Sequence, residues 1–276
     1  MMKFSIKWRS YYLIYAVLIL LAIITYFPLA AMVSMSFKTF AQYSMEPIFP
    51  TWPLHLKNYY QTFYIMLPYI LNNIIVVSVS VSAVLLFGSF TAFIFARYAF
   101  PGKNVLWLII LGVMSIPIVV LLVPLFMLTV GFKILNTYLV LILPYAAHQS
   151  LVILVLTSFI RGLPEELFEA ARLDGANILQ IYRHLVLPLA LPAITAMAIF
   201  EVWWFWNDYI WPSLVVSKPE LRTVVLGLVQ FHDDLSLPEP GQGMAASIIA
   251  SLPLIILFLF SMRKFITGMT AGAVKM

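Results

Sequence analysis

The chain predicts an all-α integral membrane protein with about six transmembrane helices, and three observations carry that prediction. Of its 276 residues, 63% are hydrophobic and only 10% charged, with a mean hydropathy of +1.00. A soluble domain of this size has too little interior to hide so much apolar surface. Apolar runs recur along the chain at the length a helix needs, about 20 residues for about 30 Å of hydrocarbon. Nowhere do apolar and polar residues alternate over ten-residue segments, so a barrel is excluded. Helices then satisfy the backbone groups that lipid cannot.

Taken in order, the spans fall near 11–36, 69–96, 105–130, 138–160, 189–217 and 244–262. The first follows Lys3, Lys7 and Arg9 as a secretory signal would. Its apolar run exceeds a signal's core of about 7–15 residues, so it reads as a retained span. Six spans and their loops use up the chain as one polytopic assembly. Residues 1–68 form a helix with an external loop, 69–262 the core, and 263–276 a tail. Lys38, Lys57, Lys133, Lys218 and Arg222 fall on one side of this layout, and the other eleven of the 16 Lys and Arg fall on the side of the termini. By the positive-inside rule both termini face the cytoplasm of a multi-pass inner-membrane protein. The net charge of +5 is thereby explained by topology, without nucleic acid.

Two external segments, 37–68 and 218–243, are longer than a hairpin needs. Pro47, Pro50, Pro53, Trp52, Tyr59 and Tyr60 mark the first; Asp233, Asp234, Pro238, Pro240 and Gly241 mark the second. Either they are ordinary interfacial loops or they form a docking surface for an external protein.

Between spans four and five lies a polar island, PEELFEAARLDGANILQIYRHLVLP, residues 164–188. Local signals make it a helical hairpin on the cytoplasmic side. Pro164 suits a first helical position, and Glu165 and Glu166 meet the positive end of the dipole. Gly175 permits a left-handed stop, Asn177 and Gln180 stand in capping-box spacing, and Pro188 ends the second helix. Arg183 and His184 would occupy its last turn, with Ile178, Ile181, Tyr182 and Leu185 as its apolar stripe. Such a hairpin either fills a groove on a soluble protein or lies flat on the lipid surface.

Span five carries Glu201 and Asp208 seven residues apart, with Asn207 adjacent and Trp203, Trp204, Phe205, Trp206, Tyr209 and Trp211 around them. Acidic groups in a membrane usually face protein or water. Glu201, Trp204, Asn207 and Asp208 are therefore the candidate translocation path, against a structural role in helix packing or at the interface. His148, alone in span four, reads as a helix–helix hydrogen-bonding residue. Prolines 117, 124, 144, 188, 192, 212 and 253 bend the spans or mark their edges.

The chain has no cysteine and no phosphate-cradling G-x-x-x-x-G-K-[ST], H-E-x-x-H or G-x-S-x-G pattern, so catalytic and metal-binding classes find no support.

Glu169-Ala170-Ala171, three residues, Gly175, nine residues, then Leu185-x-Leu187-Pro188 resembles the EAA loop of binding-protein-dependent ABC importer permeases. The family pattern is E-A-A-x3-G-x9-I-x-L-P, from which only Leu185 departs; Asp174 also fits. Trp206 to Pro212 and the tail from Phe265 to Lys275 resemble the carbohydrate-uptake branch, which is similar to the smaller membrane subunit of the maltose transporter. The resemblance implies a type I bundle of five core spans preceded by one extra helix. It implies that the hairpin, with Glu169, Ala170, Ala171, Arg172, Asp174, Gly175, Leu185, Leu187 and Pro188, couples to an ATPase. Glu169 and Arg172 would fix the docked register. Implied partners are a second homologous permease subunit, two ATPase subunits and an extracytoplasmic solute-binding protein, with sugar as cargo and lipid around the spans. ATP and Mg would be bound by the partner ATPase, leaving no cofactor, metal or catalytic residue on this chain. The alternative is an ion-coupled secondary transporter using Glu201 and Asp208.

Overall fold

A computed structural model of the protein describes residues 8–233 and 239–273, with side chains for 11–229 and 239–261. Every regular element among them is helical. The chain divides into two compact units, one from Met1–Met66 with Leu228–Ser251, the other from Leu67–Gly227 with Leu252–Met276.

In the first unit, α1 (Trp8–Ser36) exposes apolar side chains on all faces, which suits a helix among lipids or other spans. Beyond it the chain folds around a lysine. Lys38 is fully buried, and its ammonium donates to the carbonyls of Glu46 and Phe49. The sequence counts Lys38 only among the external cations. Short α2 (Phe40–Met45) starts with a capping box between Thr39 and Gln42. The Asn58 amide donates to the carbonyls of Ser36 and Lys38, each at 3.0 Å. Residues 38–61 and 239–242 meet here. Glu239 accepts from the Phe40 amide at 2.8 Å, Gln242 donates to Gln61 at 3.0 Å, and a Cβ on Gly241 would stand 2.2 Å from the Lys38 carbonyl. Asp234 to Pro238 lie outside the described residues.

Span two is longer than the sequence suggests. α3 (Lys57–Arg97) has 41 residues, about 60 Å of helix. Its polar opening reads as loop, yet Asn58, Thr62, Met66 and Ile70 are buried at helical spacing. Span three is not one rod. α4 (Lys103–Met114) and α5 (Ile118–Gly131) meet at 100° around Ser115 and Pro117. At about 18 and 21 Å neither crosses the hydrocarbon alone. Span four is also interrupted. α6 (Tyr138–Ala147) and α7 (Ser150–Arg161) are separated at His148, where the Gln149 amide bonds the Ala147 carbonyl at 2.9 Å.

Span five starts earlier and ends sooner than 189–217. α8 (Glu165–Leu173) leads to α9 (Ile178–Ile181), and α9 continues through a π-turn, Tyr182–Val186, into α10 (Leu187–Trp206). Asn207 and Asp208 break the helix before α11 (Ile210–Val215). α12 (Val224–Asp233) and α13 (Pro240–Ala273) follow. α13 carries the expected sixth span into the tail; the tail side chains from Phe265 and all of Val274 and Lys275 lie outside the described residues. Among the described residues five helical spans, the α6–α7 pair counted as one, are long and apolar enough to cross a membrane, six if the bent α4–α5 pair also counts as one.

The second unit is held by close helix approach, since apolar burial gives little drive between helices in lipid. On α3, fully buried Ala92 accepts from Thr157 of α7 at 3.4 Å, and a Cβ at Gly88 would stand 3.0 Å from Val152. Asn73 reaches the Trp206 carbonyl of α10 at 3.4 Å. Asn72 donates to the Glu220 and Arg222 carbonyls and accepts from Tyr138 at 2.7 Å.

Candidate functional site

The hairpin is built on two caps and a bend. α8 ends in a paired turn: the Ala176 amide bonds the Ala171 carbonyl at 3.0 Å and the Gly175 amide bonds Arg172 at 3.1 Å. That pattern needs a left-handed residue, and Gly175 has φ +76°. Two residues on, Asn177 accepts from the Gln180 amide at 2.9 Å while the Gln180 side chain accepts from Asn177 at 2.8 Å, forming a capping box.

Pro188 does not end the second helix. The Leu187 amide reaches back five residues to Tyr182, and this wider turn accommodates a proline that has no N–H to give. Arg183 and His184 therefore stand mid-helix, away from any negative dipole end. The apolar stripe is also shifted. Ile181, Tyr182 and Val186 are buried, whereas Ile178 is exposed.

Underneath, the hairpin rests on an aromatic cluster of α3. Phe93 is fully buried and stacks on Phe168 at 6.5 Å and on Tyr182 at 6.0 Å. Phe90 meets Tyr182 edge-on at 5.1 Å, and the Tyr182 hydroxyl pairs with Ser89 at 2.7 Å. Each aromatic pair contributes about 0.5–1.5 kcal/mol beyond area burial. Arg97, at the end of α3, closes the cluster. It donates to the carbonyls of Ile160 at 2.5 Å and Leu163 at 2.6 Å, binds Glu165, and lies 4.0 Å over the Phe168 ring. The sequence shows Arg97 only as a positive charge at a span end, because its partners lie more than sixty residues away.

The outer surface is different in character. Leu173 is 89% exposed and Leu179 65% exposed, with Leu167 and Ile178 also open. Glu169, Ala170, Arg172, Asp174 and Gly175 are exposed, Ala171 half-buried. A cleft of about 360 Å³ lies in the crook, lined by Ala171, Asp174, Gly175, Ala176, Gln180, Ile181, His184 and Leu185. Arg172 binds Glu165 and the Phe168 carbonyl, which makes it a brace within α8. Leu187 is half-buried and Pro188 exposed.

The membrane residues separate into two groups. Glu201 is fully buried with neither oxygen hydrogen-bonded, and its Oε2 is 3.7 Å from Nδ1 of His148. His148 lies at the helix break, parallel to Trp204 at 6.3 Å. Asp208 instead terminates a helix. It accepts from Tyr145 at 2.7 Å and from the Ile210 amide at 3.0 Å, at the start of α11. Asn207 is exposed and bonds the Trp203 carbonyl at 2.7 Å. Of the six aromatics, Phe205, Trp206 and Trp211 are core, while Trp203, Trp204 and Tyr209 are exposed. Trp211 donates to the Val140 carbonyl at 2.9 Å. Among the described residues no group of three His, Asp or Glu could hold a metal ion.

Comparison with known proteins gives the same outline. The family described as "binding-protein-dependent transport system inner membrane component" matches residues 84–270. A putative ABC transporter permease protein of Caldicellulosiruptor sp. is 38% identical over 208 residues, 75% of each chain. The arabinooligosaccharides transport system permease protein of Halalkalibacterium halodurans is 35% identical, covering 74% of this chain and 72% of its own. The trehalose/maltose transport system permease protein of Thermococcus litoralis is 30% identical over 93% and 94%. Among solved structures, a chain of a bacterial ABC transporter involved in import of the acidic polysaccharide alginate superposes with TM-score 0.83 at 21% identity, over 96% of this chain and all of that one. A second, from an alginate transporter in complex with a pentasaccharide-bound periplasmic protein, gives 0.68 at 18% identity over 94% and 95%.

Proposed function

Because the chain belongs to the family of binding-protein-dependent transport inner-membrane components, we propose that it is the permease subunit of a carbohydrate importer driven by separate ATP-binding-cassette subunits. Membership sets aside the ion-coupled carrier. Relatives whose names include arabinooligosaccharides and trehalose/maltose support a mono- or oligosaccharide cargo.

The single observation that carries the coupling role is the hairpin, whose underside is rigidly packed while its tip leaves Leu173 and Leu179 to solvent. Exposed leucines beside a cleft suit a partner's surface. The ATPase binds ATP and Mg and supplies the driving motion. Two such ATPase subunits grip two hairpins, one here and one on a homologous permease, and an extracytoplasmic binding protein delivers sugar to the external loops. Both termini face the cytoplasm. Glu201, Trp204, Asn207 and Asp208 line or support the path, with Glu201 and His148 beside the break in span four.

The test is reconstitution of the complex in proteoliposomes. Sugar uptake that needs internal ATP and loaded binding protein, and persists without an ion gradient, is the expected result. Uptake that follows the proton gradient and ignores ATP would overturn the reading.

A further inference from the structure

α8 joins the bundle covalently only through two short links, residues 162–164 and 174–177. A helix hung on two links transmits little motion unless side chains tie it down. We propose that Arg97 is that tie, a positioning residue that transmits displacement of the hairpin into α3 and α7. The inference rests on the proposed coupling role of the hairpin.

One guanidinium joins three helices. Its two carbonyl partners, Ile160 and Leu163, belong to the end of α7 and the link that follows, past the last four-residue bonds of the helix, where Ile160 keeps only a three-residue bond from Leu163. Its third partner, Glu165, is in the first turn of α8, and its flat face covers Phe168 from the same helix. The stem rises from the last residue of α3. The arginine side chain is 9% exposed, so these bonds are largely shielded from water, whereas Glu165 is 48% exposed and adds less. A lysine has the charge but neither the planar fork that serves two carbonyls and a carboxylate together nor a face to lie on a ring. Around the guanidinium, Phe168 is 2% exposed and stacks on Phe93 of α3, so the tie is backed by close packing rather than suspended in a gap.

The experiment compares wild type, Arg97→Ala, Arg97→Lys and Phe168→Leu in the reconstituted complex. Three quantities are measured: ATPase subunits co-purifying, ATP hydrolysed, and sugar moved per ATP. Both Arg97 variants should retain the ATPase subunits and hydrolyse ATP, while sugar moved per ATP falls roughly two- to thirty-fold. Phe168→Leu, which leaves the carbonyl bonds, should fall less. A wild-type ratio in Arg97→Lys overturns the proposal, since charge alone would then suffice. So does loss of the ATPase subunits with a normal ratio in whatever complex remains, which marks a folding role only. Absence of ATP-driven uptake in the wild type sinks the proposed function itself, and is distinguished by appearing before any substitution.

Discussion

Oε2 of Glu201 lies 3.7 Å from Nδ1 of His148, beyond hydrogen-bond range, at the break between α6 and α7. Neither carboxyl oxygen has a hydrogen-bond donor. A buried polar group in that condition detracts from stability.

Glu201→Leu should therefore leave thermal unfolding of the purified protein unchanged or raise its midpoint, as apolar replacements of buried ionisable groups often do. Transport should nevertheless fall if the carboxyl serves the path. A variant that unfolds earlier and transports normally would reverse both halves of the argument.

Gly175 has φ +76° and nothing within 4 Å of an added Cβ. The penalty for substitution is thus conformational, about 1–2 kcal/mol for most residues and less for asparagine. Transport should decline in the order Asn, Ala, Val, with membrane insertion intact in all three. Equal transport by Gly175→Val and Gly175→Asn would mean the left-handed turn is dispensable.

Leu173, at 89% exposed, contributes little to its own fold. Leu173→Asp should shift stability by no more than about 0.5 kcal/mol. Co-purification of the ATPase should drop sharply. Retention of the ATPase at wild-type levels would remove the hairpin tip from the docking surface.

Gly241→Ala would press a methyl to 2.2 Å from the Lys38 carbonyl and 2.5 Å from the Asn58 amide. Overpacking of that kind costs about 1–3 kcal/mol. Thermal unfolding of the detergent-solubilised protein should show the loss, and an unshifted midpoint would contradict the close approach.

The parts legible from sequence were those written locally. Apolar runs mark where spans fall, and the Gly175 turn and the Asn177–Gln180 box declare themselves within four residues. What depends on distant partners was hidden. Arg97 finds its carbonyls on α7 and its ring on α8, and no local spacing announces that. Lys38 counts from sequence only as a cation on one side of the membrane, because its two carbonyl partners are backbone groups, which carry no sequence signature. Pro188 looked like a stop because the usual rule counts one missing bond, whereas a π-turn moves the bond to another pair. The early start of α3 was masked by polar residues whose buried face appears only at four-residue intervals.

The uninterrupted passage from α9 through the π-turn into α10 has a mechanical consequence. Leu179 and Glu201 stand on the same continuous helical stretch, roughly 30 Å apart at helical rise. A displacement at the first reaches the second along one continuous helix, and the π-turn and Pro192 are the two places on the way where its axis can bend.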